Sequence, residues 1–188
     1  GLATFDDCYY AQQAKEILKT GDWLTMHYAG KPLFENDPFC LWCMAACFKL
    51  FGISEYTARM YSAFFGVCTV IGVFLLAELL FDYWTAFFSA AALLTTQYFQ
   101  KYAKHAMLDV TLSFWAVTAI LFFMLALKKD KNIFFILFGI SGALAMLTKN
   151  ILGSFPLIAA VLFLIINARW KILFKPAFLA GLFIAALI

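Results

Sequence analysis

The chain has 188 residues, 65% of them hydrophobic and only 13% charged, with a net charge of +3 and a mean hydropathy of +0.88. Soluble domains are nearer half apolar and a quarter charged, so most of this surface is made to face lipid. The small positive charge requires no nucleic-acid partner. The five cysteines (Cys8, Cys40, Cys43, Cys47 and Cys68) lack the paired spacing of a disulfide framework. Apolar residues arrive in helix-length blocks such as 151–166 rather than in period-two alternation, which argues against a membrane β-barrel. The expected class is all-α and polytopic. The chain starts at Gly1 and stops at Ile188 within an apolar run, so a fragment of a longer protein is expected.

In chain order, a first helix is expected from about Asp6 to Thr20. Tyr10, Ala14, Ile17 and Leu18 form its apolar stripe, and Gly21 stands at its C-terminal cap. Such a helix suits a membrane interface. Thr4 and Asp7 have the spacing of a capping box, with Asp in place of Glu. A turn-rich linker runs from Gly21 to Pro38. The next helix, Phe39 to Phe51, has Asn36 or Asp37 as cap, Pro38 in its first turn and Gly52 closing it. At about 20 Å it falls short of the roughly 30 Å hydrocarbon core, so it reads as re-entrant or interfacial. Cys40, Cys43 and Cys47 share one of its faces, where small apolar packing is a simpler reading than a metal site.

Residues 1–57 are thus expected to form an external loop with interfacial helices, and residues 58–188 a transmembrane bundle of five spans and a truncated sixth. The expected spans are Ala58 to Phe81, Trp84 to Phe99, Asp109 to Leu127, Ile133 to Leu147, Ile151 to Ile166, and one from Pro176. Lys128, Lys129, Lys131, Arg169, Lys171 and Lys175 fall in one set of connections, which the positive-inside rule makes cytoplasmic. The opposite set then faces outward with Asp6, Asp7, Glu35, Asp37, Arg59, Lys101, Lys104, His105, Asp109 and Lys149. Cations held on the outer side suit an anionic ligand. Carboxylates beside them suit proton removal from an acceptor hydroxyl, while the cations would neutralise a departing phosphate. Helix capping by Asp6, Asp7 and Asp109 and snorkelling by Lys149 are local alternatives for the same residues.

The order Asp6-Asp7-Cys8-Tyr9-Tyr10-Ala11, Gly21-Asp22-Trp23, Gly30-Lys31-Pro32-Leu33-Phe34-Glu35, Ala58-Arg59, Lys101 to Asp109 and Leu147-Thr148-Lys149 resembles the polyprenyl-phosphate-sugar-dependent glycosyltransferases of the GT-C fold. That group includes bacterial aminoarabinose transferases of lipid A and protein O-mannosyltransferases. The resemblance implies a multi-pass protein of a bacterial inner or plasma membrane, with its active site on the outer face. It implies inverting transfer from a polyprenyl-phosphate sugar to a lipid, glycan or protein acceptor. Asp6 matches the family's first acid and is the implied general base, and Asp109 would orient donor or acceptor. Asp7, Lys31, Glu35, Arg59, Lys104, His105 and Lys149 are the implied substrate-binding groups. Glu35 matches a position that ligates metal in some relatives; a divalent metal stays open and no other cofactor is implied. Asp7 replaces the usual Glu, and Asn36-Asp37 stands where relatives have Lys-Pro, which shifts phosphate binding toward Lys31, Lys104 or Lys149. A non-catalytic transporter of anionic lipid or solute, or a family member without activity, is the competing reading.

Overall fold

A computed structural model describes residues 5–33 and 37–187, with side chains from residue 7 onward. Helix α1 (Phe5–Thr20) is followed by a two-stranded antiparallel hairpin, β1 (His27–Tyr28) and β2 (Lys31–Pro32), and by α2 (Pro38–Phe51). The remaining helices are α3 (Glu55–Leu80), α4 (Tyr83–Thr95), α5 (Gln97–Ala103), α6 (Leu108–Lys129), α7 (Asn132–Gly153), α8 (Phe155–Ile166), α9 (Trp170–Leu173) and α10 (Pro176–Ala186). Helices α3, α6 and α7 are long and apolar enough to cross a membrane. At 1.5 Å per residue, the 22 residues of α6 span about 33 Å, matching the hydrocarbon core. The chain is an integral, multi-pass membrane protein.

Local chemistry sets the boundaries. Gly21 ends α1 at φ +73 and its N–H donates to the Ile17 carbonyl at 2.9 Å, as its cap position requires. Ser54 and Thr57 close a capping box at the start of α3, so this helix begins before Ala58. Asp82 caps α4 by accepting from the Trp84 and Thr85 N–H groups, and the Thr85 hydroxyl, donating at 2.7 Å, joins those bonds in holding its carboxyl below the usual range despite slight desolvation. The expected span from Trp84 to Phe99 is bent instead: α4 stops at Thr95, and a separate helix α5 runs from Gln97 to Ala103, into the connection before α6.

The linker contains a feature absent from the sequence reading. Ala29 and Gly30 have φ of +52 and +75 between paired Tyr28 and Lys31, a two-residue turn with both central residues left-handed. Glu16 of α1 holds this turn. Its carboxylate accepts from the Ala29 N–H at 2.9 Å, the Gly30 N–H at 3.1 Å and the Gln12 amide at 2.9 Å.

Two apolar cores lie along the bundle. The first joins α1, α2 and the N-terminal halves of α3 and α6 through Ile17, Leu41, Met44, Tyr61 and Phe65. The second joins α6, α7, α8 and α10 through Phe123, Phe135, Phe138, Leu164 and Phe178, with Phe138 and Phe178 stacked at 6.0 Å. Helix α6 contributes to both and packs against α3 on one side and α7 on the other. Cys40 is fully buried in the first core, and all five cysteines are free thiols, in keeping with a packing role.

Candidate functional site

The polar residues at one end of the bundle are gathered by helix packing. Asp7 lies in the first turn of α1 and is fully buried. Its Oδ2 is 2.8 Å from His105 Nδ1 and 3.7 Å from an Arg59 guanidinium nitrogen, and its Oδ1 accepts the Ala106 N–H at 2.9 Å. A carboxylate only accepts, so the His105 bond requires the imidazole proton on Nδ1. Asp7 therefore ties α1 to α3 and to the α5–α6 connection. Thr4, the partner in the expected capping box, lies outside the described residues, as does Glu35. Asp6 belongs to the first turn of α1, but its side chain is not among those described.

Asp109, in the first turn of α6, accepts a bond from Lys149 Nζ at 2.6 Å across 40 positions of sequence. Lys149 is half-exposed and carries the one interruption within α7, at φ −157 and ψ 75. The expected turn at Thr148–Lys149–Asn150 is this kink. Breaking the helical ladder frees the next N–H, and Asp37 Oδ2 accepts it from Asn150 at 2.7 Å. Asp37 thus makes no side-chain cap on its own helix, α2, and satisfies α7 instead. The sequence offered no signal for this partner 113 positions away.

Three lysines were candidates to hold phosphate, and the geometry separates them. Lys31 sits on the exposed hairpin strand β2. Lys149 is already paired with Asp109. Lys104 has no carboxylate partner among the described residues, and it stands at the rim of an apolar slot of about 340 Å³ between α3, α4 and α5. Gly66, Val67, Val70, Leu94 and Phe99 line that slot. Lys104 directly precedes His105, which grips Asp7 next to Asp6 in sequence. No cluster of His, Cys, Asp and Glu fit for a metal occurs among the described residues.

A family model described as dolichyl-phosphate-mannose-protein mannosyltransferase matches residues 31–188. The chain belongs to that family. It is 31% identical over 178 residues to an uncharacterized protein of Aquifex aeolicus, covering 94% of this chain and 36% of that one. It is 28% identical over 190 residues to the undecaprenyl phosphate-alpha-4-amino-4-deoxy-L-arabinose arabinosyl transferase of Yersinia enterocolitica, covering 97% of this chain and 34% of the relative. The crystal structure of ArnT from Cupriavidus metallidurans bound to undecaprenyl phosphate matches with a TM-score of 0.90 at 24% identity, over 100% of this chain and 36% of that one. Its apo form matches with a TM-score of 0.89. The chain has the expected all-α, GT-C-like membrane fold, and it spans about a third of the length of these relatives.

Proposed function

We propose that the protein is a membrane glycosyltransferase that moves a sugar from a polyprenyl-phosphate donor to a lipid, glycan or protein acceptor, with inversion, at the outer face of the plasma membrane. The observation that carries this reading is the convergence of the family's charged positions at one end of the helices. Asp7 meets His105 across 98 positions, and Asp109 meets Lys149 across 40. Residues 1–57 act as the external loop over the bundle in this reading.

The chemistry follows from the roles. An acceptor hydroxyl attacks the anomeric carbon as Asp6 takes its proton, and the bond from that carbon to the phosphate oxygen breaks on the opposite face. The leaving phosphate is a stable anion, so it needs a cation more than a general acid. Lys104 supplies that charge, and the adjoining slot takes the first isoprene units of the donor. Asp109, held by Lys149, orients donor or acceptor, while Asp7, Arg59 and His105 hold α1 in place. Lys31 and Glu35 remain candidate contacts to substrate.

The test is transfer of radiolabelled sugar from a polyprenyl phosphate by the full-length protein in liposomes. Asp6→Asn is expected to reduce turnover at least about a thousandfold, the order seen when a key catalytic group is removed. Asp109→Asn is expected to lower turnover by a smaller factor. Transfer that survives Asp6→Asn would defeat the assignment of the base. A wild type that binds polyprenyl phosphate without turning over any sugar donor would favour an inactive family member.

A further inference from the structure

The opposite, basic end of the bundle carries a second constellation. Helices α3, α6 and α8 all finish there, at Leu80, Lys129 and Ile166. Two apolar troughs open between these ends. One, of about 270 Å³, is lined by Leu79, Leu80, Met124, Leu127 and Phe163, with Lys128 and Arg169 at its polar side. The other, of about 330 Å³, is lined by Leu75, Leu79, Leu121 and Leu125, with Glu78 and again Lys128. The troughs share Leu79 and Lys128, so they diverge from one cation.

The charges at this end are not equally available. Lys175 is paired with Asp130 at 2.5 Å. Lys128 Nζ donates to the Leu79 carbonyl at 3.2 Å, which fixes it over the last turn of α3 and leaves its other two protons for a ligand. The Arg169 guanidinium has no ion pair or side-chain hydrogen bond among the described residues. Glu78 is the one carboxylate lining the troughs, against two cations.

We propose that this end holds one anionic, two-chain glycerophospholipid, with its phosphate between Lys128 and Arg169 and one acyl chain in each trough. Two apolar troughs meeting at a cation match two chains meeting at a phosphate. The excess of positive charge selects a headgroup with net negative charge. Basic pockets between membrane helices are suited to such headgroups, and each cation near the surface adds to the attraction. A guanidinium also presents the paired donors that match phosphate oxygens. This site stands at the far end of the helices from the catalytic reading and does not depend on it.

The test uses the full-length protein in detergent, titrated with phosphatidylglycerol, phosphatidylethanolamine and phosphatidylcholine of identical chains, with bound lipid counted by native mass spectrometry. Phosphatidylglycerol is expected to bind roughly tenfold tighter than phosphatidylcholine, in keeping with two nearby cations. Arg169→Gln, which breaks no bond within the described residues, is expected to remove most of that preference. Lys128→Arg, which keeps a donor for the Leu79 carbonyl, is expected to retain it. Leu79→Trp fills both troughs without changing charge and is expected to weaken all three lipids. Equal binding of phosphatidylglycerol and phosphatidylcholine would overturn the proposal, as would a preference that Arg169→Gln leaves intact. A preference for phosphatidylethanolamine that Glu78→Gln abolishes would also overturn it, because the headgroup amine would then be the recognised group.

Discussion

Asp7 is a buried charge whose neighbours come from α3 and from the α5–α6 connection, and its replacement separates their contributions. Asp7→Ala removes the acceptor of the Ala106 N–H and the carboxylate beside Arg59 and His105. Breaking a buried charged pair from one side costs roughly 3–5 kcal/mol, and the half-exposed Arg59 brings the expected loss toward the lower figure. Asp7→Asn keeps an oxygen for the Ala106 N–H and should lose about half as much, since a neutral hydrogen bond survives. Thermal unfolding of the purified full-length protein reads both, and equal losses would show that the charge carries the whole contribution and the neutral hydrogen bond none of it. Glu16 offers a second test at this scale. Burial works to raise its pKa, but the donors from Gln12, Gly30 and Ala29 outweigh that and hold it below the ordinary 4.5. A carboxyl depressed on folding stabilises the protein above its unfolded pKa, and that stabilisation is lost as pH falls through the lower, folded value. Hairpin anchoring should therefore be intact from neutral pH to about 5 and weaken only in more acidic solution. Glu16→Gln would flatten this dependence, because an amide does not titrate, and would loosen the hairpin at every pH, because only one oxygen remains to accept from the turn. Amide hydrogen exchange at residues 27–32 across pH, corrected for intrinsic rates, checks the expectation.

Among the elements, the tightest helix pair is α7 with α10. A Cβ added at Gly139 would lie 2.1 Å from the Gly181 carbonyl oxygen, which is backbone and cannot swing aside. Small residues at such crossings let membrane helices approach closely enough for dense packing, the main drive for association in lipid. Gly139→Ala is expected to separate the pair and cost roughly 1–3 kcal/mol, the usual range for overpacking. Gly72→Ala is the contrast, since its Cβ would meet only the Val117 Cγ1, at 3.1 Å, and that side chain can shift. A lower unfolding temperature for Gly139→Ala than for Gly72→Ala checks the assignment. These elements also mark how far sequence carries. Hydropathy over 18 or more residues reports transfer into lipid, which is why α3, α6 and α7 are legible. Gly21, Pro38 and Gly52 mark helix ends because their backbone chemistry is local. The α4–α5 bend is not legible, since Thr96 breaks no local rule. The break at Lys149 is legible as a turn, but its partner is not, because Asp37 lies more than a hundred positions from Asn150. The same limit applies to the site: the residue types pointed to phosphate chemistry, but only packing distinguishes the paired Lys149 from Lys104.

For the whole molecule, the two ends of the bundle differ in kind as well as in charge. One carries the packed set of Asp7, His105, Asp109 and Lys149 beneath α1 and the hairpin, and the other carries six basic residues from 128 to 175 around the proposed lipid troughs. Retention of Lys and Arg on the cytoplasmic side orients multi-pass proteins, so the second end should face inward and α1 outward. Cys8 makes this testable without altering either charge set, because it is an exposed thiol on α1, whereas Cys40 is buried and Cys43, Cys47 and Cys68 are partly covered. A membrane-impermeant maleimide added to intact spheroplasts of cells expressing the full-length protein is expected to label the wild type, and Cys8→Ser should remove that signal. In the Cys8→Ser background, a cysteine placed by Lys171→Cys should react only after the membrane is permeabilised. Labelling of the Lys171→Cys variant in intact spheroplasts, with Cys8 of the wild type reacting only after lysis, would invert the molecule. Asp6 and Lys104 would then face the cytoplasm, and an acceptor on the outer surface could not reach them.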